Sequence, residues 1–152
     1  MGRVRASLDV TGTVSEAERL WYDQSRWPSF IDGFAAVVKT EGDWPQAPST
    51  LVWDSRPEGR GRVVERVTGY EMRSGQTLQV EDEKLTGVQS VAFVALDDGT
   101  EVTLSLDYRL KSGGPLRAVV DVLFIRRALG DSLRRTLVRF SRELSSDLEL
   151  LR

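Results

Sequence analysis

Six apolar residues near the end of the chain constrain its fold more than any other feature. Leu133, Leu137, Phe140, Leu144, Leu148 and Leu151 recur at spacings of 4, 3, 4, 4 and 3. They keep to one stripe of a 3.6-residue period, so the chain from Asp131 onward reads as one long amphipathic helix. Arg135, Arg139, Arg142, Glu143 and Ser146 fall on the opposite, solvated side. Nearly everything before Pro115 reads instead as short strands. A single striped helix after a run of strands needs a sheet to cover its stripe. The expected class is therefore α+β.

The strands follow from period-two alternation. Val4, Ala6, Leu8 and Val10 alternate with Arg3, Arg5, Ser7 and Asp9, as a half-buried strand does. Ser15 with Glu18, or Thr13 with Glu16, forms a capping box that opens a short helix burying Ala17, Leu20 and Trp21. Trp27-Pro28-Ser29 opens a second, because proline is tolerated in a first turn; Gly33 ends it. Further strands are expected over 34–39, 50–54, 62–72, 77–83 and 88–96, with a loop carrying Trp44 between the second and third. Asp97-Asp98-Gly99 is the strongest hairpin signal. After it Val102, Leu104, Leu106, Tyr108 and Leu110 alternate with Glu101, Thr103, Ser105, Asp107 and Arg109. These make seven strands, antiparallel because their connections are short. In Pro115–Leu129, apolar residues cover most of the circumference, and Gly130 marks a kink or break before the long helix.

Composition narrows the chemistry. With 152 residues the chain makes one domain, 1–152. It has no cysteine and no histidine, which removes the Ser-His-Asp arrangement, thiolate nucleophiles and most transition-metal sites. The formal net charge of −2 gives no basic footprint for nucleic acid. The acidic run Glu81-Asp82-Glu83 points to alternate faces of a strand and converges poorly on an ion, so neither a metal nor another cofactor is expected. The amino-terminal residues lack the apolar run of a signal peptide, and no stretch reaches the length of a membrane span. The cytoplasm is the expected location, with the chain a monomer or homodimer. Arg126-Arg127 and Arg134-Arg135 flank Gly130; they are expected to be the wet face of a buried helix rather than a membrane contact.

The segments VRASLDVTG, ERLWYDQSRWPSFIDGF, GRVVERVTGYE and DDGTEVTLSLDYRL, followed by the terminal helix, resemble the START/Bet v 1-like (SRPBCC) superfamily. Within it, the chain looks like the bacterial polyketide cyclase/dehydrase-like group, with Trp21, Asp23 and Trp27-Pro28 in the places of that group's helix motif. The resemblance implies a helix-grip fold, in which a seven-stranded curved antiparallel sheet wraps the long helix and two short helices follow the first strand. It implies a cavity between sheet and helix for a hydrophobic small molecule, either a lipid or an aromatic, polyketide-like compound. Some members are aromatase/cyclases that guide aldol condensation and dehydration there; a lipid carrier is a further possibility in the superfamily.

The fourth strand carries the candidate chemistry, and its register decides which residue points inward. A two-residue turn at Ser74-Gly75 would put Leu78 and Val80 beside Val67 and Val63 and aim Glu65 at the cavity. A three-residue turn would align them with Tyr70 and Thr68 and aim Arg66 there. The resemblance implies that an arginine near this position, Arg62 or Arg66, polarises a carbonyl with Tyr70 or Tyr108 nearby. Trp21, Trp53, Glu65 and Phe93 are further expected to line the pocket. Leu116, Val120 and Phe124 are expected to form its lid.

Overall fold

The computed structural model describes residues 2–111 and 118–151, with side chains omitted over 118–122. The elements run β1 Gly2–Val10, α1 Val14–Tyr22, a 3-10 turn Gln24–Arg26, α2 Trp27–Phe30, β2 Phe34–Gly42, β3 Ser49–Ser55, β4 Arg62–Glu71, β5 Gly75–Glu81, β6 Leu85–Leu96, β7 Gly99–Leu110 and α3 Ala118–Leu150. All seven strands lie in one antiparallel sheet ordered β1-β7-β6-β5-β4-β3-β2. This is the helix-grip architecture: a sheet, two short helices after its first strand, and a long carboxy-terminal helix packed on its inner face.

The stripe of α3 behaves as its spacing requires. Leu137, Phe140 and Leu144 are buried, Leu133 and Leu148 half-buried, and Leu151 exposed at the frayed end. Phe140 stands edge-on to Trp21 at 5.5 Å and to Phe30 at 5.3 Å between ring centroids. The first helices thus pack on the last one. On the sheet side Val102, Leu104, Leu106 and Tyr108 are buried, and their alternation along β7 puts them all on the inner face.

The helix does not break at Gly130. A helical glycine costs about 1 kcal/mol relative to alanine, and the long helix passes through it. The capping box is the Thr13 register. Thr13 Oγ1 accepts from the Glu16 amide at 3.1 Å, and Glu16 accepts from the Thr13 amide at 2.9 Å. Glu18, the third residue of the other register, is instead buried against Arg73, accepting from its guanidinium and from its backbone N–H at 3.0 Å.

The fourth strand resolves its two alternatives by a device that neither contained. The β4–β5 turn has three residues, Met72 to Ser74, with Glu71 opposite Gly75. Alone, that turn would bring Arg66 inward. A bulge between Val67 and Gly69 shifts the register back, so that Val67 faces Leu78 and Glu65 faces Val80. One extra residue in one strand flips every side chain beyond it to the other face. Val63, Glu65 and Val67 are therefore buried, while Arg62 and Arg66 are on the outside.

Candidate functional site

Between the inner face of β3–β6 and the start of the buried part of α3 lies a partly enclosed space of about 60 Å³. All four tryptophans of the chain line it: Trp21, Trp27, Trp44 and Trp53. Each is held by a separate local device. Trp21 lies on the buried face of α1. Trp27 begins α2, and its indole N–H donates to the Trp21 carbonyl at 2.8 Å. Trp44, in the loop before β3, donates to the Tyr22 carbonyl at 2.9 Å. Trp53, on β3, lies 5.2 Å from Phe34 and donates through Nε1 to Glu65 Oε1 at 2.9 Å.

The polar lining falls into two groups. On the helix side Asp32, just after α2, accepts from Ser132 Oγ at 2.8 Å and from Arg135 Nη2 at 2.9 Å, with Arg139 at 3.2 Å. Its backbone N–H donates to Thr136 Oγ1 at 3.0 Å. These bonds clamp the end of α2 to α3. Burial works against the charge of Asp32, but the hydrogen bonds from Arg135 and Ser132 outweigh it and hold the carboxyl below its usual range.

On the sheet side are Glu65, Arg60, Gln76 and Gln89. Glu65 is only 5% exposed, and burial pushes its carboxyl up; the Trp53 indole and the Arg60 charge oppose this without cancelling it. The Arg60 guanidinium lies over the Trp53 ring, 5.7 Å from its centroid, and donates through Nε to the buried Asp82 at 2.7 Å. Its Nη2 is buried with no partner among the described residues. The same tryptophan thus presents its face to a cation and its edge to a carboxyl. The result is an aromatic-walled space with a buried acid whose carboxyl is pushed up and an N–H donor that has no partner among the described residues.

The raised Glu65 carboxyl has a consequence for stability. In the unfolded chain it releases its proton near pH 4.5; in the fold it keeps it to higher pH. Across that window the native state binds more protons, so stability falls as pH rises. Glu65→Gln removes this slope. Its melting temperature relative to the parent should climb from pH 4.5 upward in thermal melts across a pH series. Parallel curves would show that Glu65 ionises normally.

Of the residues expected at the site, Trp21, Trp53 and Glu65 come together. The others stand elsewhere. Arg62 is on the outer face, bonded to Asp54 of β3 at 2.9 Å, because Arg62 and Asp54 are register partners. Arg66 is exposed on the same face between Thr50 and Gln79. Tyr70 is half-buried against Tyr22 at 5.5 Å. Phe93 is buried in the core, 6.2 Å from Tyr22. Tyr108 is buried over Gly2, where a Cβ would meet its hydroxyl at 2.5 Å, and it does not line the space. Phe124 is 75% exposed on the outer side of α3, so it forms no wall. Leu116 and the Val120 side chain lie outside the described residues. Arg60, Asp32, Trp44 and Gln76 join the site without a sequence signal. Arg60 and Trp44 lie in loops, where no periodicity reports a facing direction.

Among the described residues, no helix is long and apolar enough to cross a membrane. No curated protein matches the sequence. Solved structures share the fold. A protein from Thermus thermophilus is 16% identical with a TM-score of 0.76, over 96% of this chain and 99% of that one. A START superfamily protein from Mycobacterium smegmatis is 15% identical with a TM-score of 0.75, over 95% and 97%. The di-domain ARO/CYC StfQ from the steffimycin biosynthetic pathway is 18% identical with a TM-score of 0.76, over 97% of this chain and 51% of that one. With this sheet, this helix and the family profile described as polyketide cyclase / dehydrase and lipid transport matching residues 1–145, the chain belongs to that family.

Proposed function

We propose that this protein binds a small aromatic molecule bearing an acceptor oxygen in the space between sheet and α3. The observation that carries the reading is the buried Glu65 carboxyl with the charge of Arg60, whose Nη2 has no partner among the described residues, within four tryptophans. A neutral carboxyl donates a hydrogen bond, as does the guanidinium. Both suit a carbonyl or phenol oxygen. The indoles supply flat apolar contact for a ring.

The volume narrows the ligand class. About 60 Å³ holds roughly five waters at about 12 Å³ each. An apolar cavity that takes a benzene ring is larger, about 150 Å³. Pockets for drug-sized ligands are larger, about 300–1,000 Å³. A single-ring aromatic ketone enters once the walls part slightly. An acyl chain or a fused polyketide would require them to part much further.

A second reading is favoured by the same carboxyl. An acid that keeps its proton above the usual carboxylate range can protonate a carbonyl oxygen as an enol or aldol adduct forms, with Arg60 stabilising the developing charge. This is the chemistry of a cyclase or dehydratase, with Arg60 in the role that the resemblance gives to Arg62 or Arg66, and Glu65 in the proton-donating role it gives to a tyrosine.

The binding reading is tested with acetophenone as probe, followed through the indole resonances of the tryptophans. The wild type should show a saturable shift of Trp53 Nε1–H. Glu65→Leu, which removes the donor, should bind about ten-fold more weakly, equivalent to one hydrogen bond.

A further inference from the structure

The arginines flanking Gly130 acquire partners that no sequence spacing predicts. β1 is an edge strand, and α3 crosses it. The crossing brings Arg3 and Arg5 of β1 into one groove with Arg126, Arg127 and Arg134 of α3 around Gly130. Arg3 is bonded to Asp107 and Arg134 to Asp131. Among the described residues, Arg5, Arg126 and Arg127 have no acidic partner and are exposed. This concentration of positive charge occurs in a chain whose formal net charge is −2.

Two large apolar side chains stand one turn away on the same helix. Leu123 is 64% exposed and Phe124 75% exposed. Residues three and four apart are neighbours on a helix surface, so Leu123 adjoins Arg126 and Arg127, and Phe124 adjoins Arg127. A soluble phosphate would need only the arginines. Exposed leucine and phenylalanine next to unpaired arginines match the boundary between headgroups and acyl chains of an anionic bilayer.

We propose that the Arg3–Arg5 and Arg126–Arg134 groove, with Leu123 and Phe124, docks the protein on an anionic phospholipid surface. The arginines meet phosphate headgroups while the two apolar side chains enter the interface. The docking site lies on the β1 edge of the fold and does not depend on what the interior space binds.

The test is flotation of the full chain with vesicles of equal parts phosphatidylcholine and phosphatidylglycerol, against phosphatidylcholine alone. Binding is expected only with the anionic vesicles, and to fall as salt screens the charges. At about 1 kcal/mol per arginine, Arg126→Gln with Arg127→Gln should weaken it roughly thirty-fold. Leu123→Ser with Phe124→Ser should weaken it as well. All four residues are exposed, and circular dichroism confirms that the variants are folded. No flotation, or flotation unchanged by the double glutamine variant, overturns the proposal. Binding that needs the arginines but ignores Leu123 and Phe124 also overturns it, since that pattern belongs to a soluble anion site.

Discussion

Phe140→Ala is expected to destabilise the protein by about 3–5 kcal/mol, the usual range for deleting a buried phenylalanine. Phe140 is 0% exposed and stands edge-on to both Trp21 and Phe30. Its ring is the joint at which the two short helices meet α3. The cavity left by its removal opens beneath Trp21, one wall of the interior space, so the neighbours cannot close over it without moving that wall. For a domain of this length, the loss corresponds to a fall of roughly 10 °C in melting temperature. Val138, two residues earlier on the exposed side of the same helix, is the control. Val138→Ala should change stability by less than about 0.5 kcal/mol. Equal effects at the two positions in thermal melts would mean that the stripe of α3 is not buried as described.

Asp82→Ala is expected to be comparably severe, and it links stability to the site. Asp82 is buried and closes the β5–β6 turn. It accepts from the Lys84 amide at 2.8 Å, the Leu85 amide at 2.9 Å and Arg60 Nε at 2.7 Å. Alanine leaves two backbone donors and a guanidinium without their acceptor. Breaking a buried charge pair from one side costs about 3–5 kcal/mol. The lower end applies here, because the Arg60 side chain remains 28% exposed and water can reach part of it. Asp82→Asn keeps an acceptor for the turn and loses the ion pair, so it should recover part of the loss. Both variants release Arg60 from its place over Trp53, and both should weaken binding at the interior space. A chemical denaturation series gives the stabilities. If Asp82→Ala were no less stable than the parent, the turn would not depend on this carboxylate.

The architecture was legible because it follows from periodicity. The stripe from Leu133 to Leu148 and the alternation along β7 each commit many residues at once, and burial enforces them. The outer ends were less legible: β2 extends three residues past the expected 34–39, on a strand whose side chains are mostly exposed. The site was partly legible. Glu65 was one of two inward candidates, and choosing between them required the turn length and the bulge at Thr68. A bulge has no fixed sequence mark, since it is a compromise between a preferred turn and the need to bury Val63 and Val67. Resemblance gives Arg62 or Arg66 an inward role, yet strand parity places both opposite Glu65. Arg60 escapes a sequence reading because it precedes the strand, where no alternation exists to read. The basic groove was half visible: Arg126 and Arg127 stood out, but only the crossing of α3 over β1 adds Arg3 and Arg5.

The central claim is that the tryptophan-lined space binds an aromatic ligand through a proton-bearing Glu65. The most direct measurement is the acetophenone titration read at the Trp53 indole, because that N–H donates to Glu65 itself. It should be run with the parent, Glu65→Gln and Glu65→Leu across a pH series. The parent should bind more weakly as pH rises through the raised midpoint of Glu65, because an ionised carboxylate can no longer donate. Glu65→Gln, whose amide donates at every pH, should bind without that dependence, and Glu65→Leu about ten-fold more weakly. The same saturable shift in all three proteins at every pH, or none in any of them, would contradict the account.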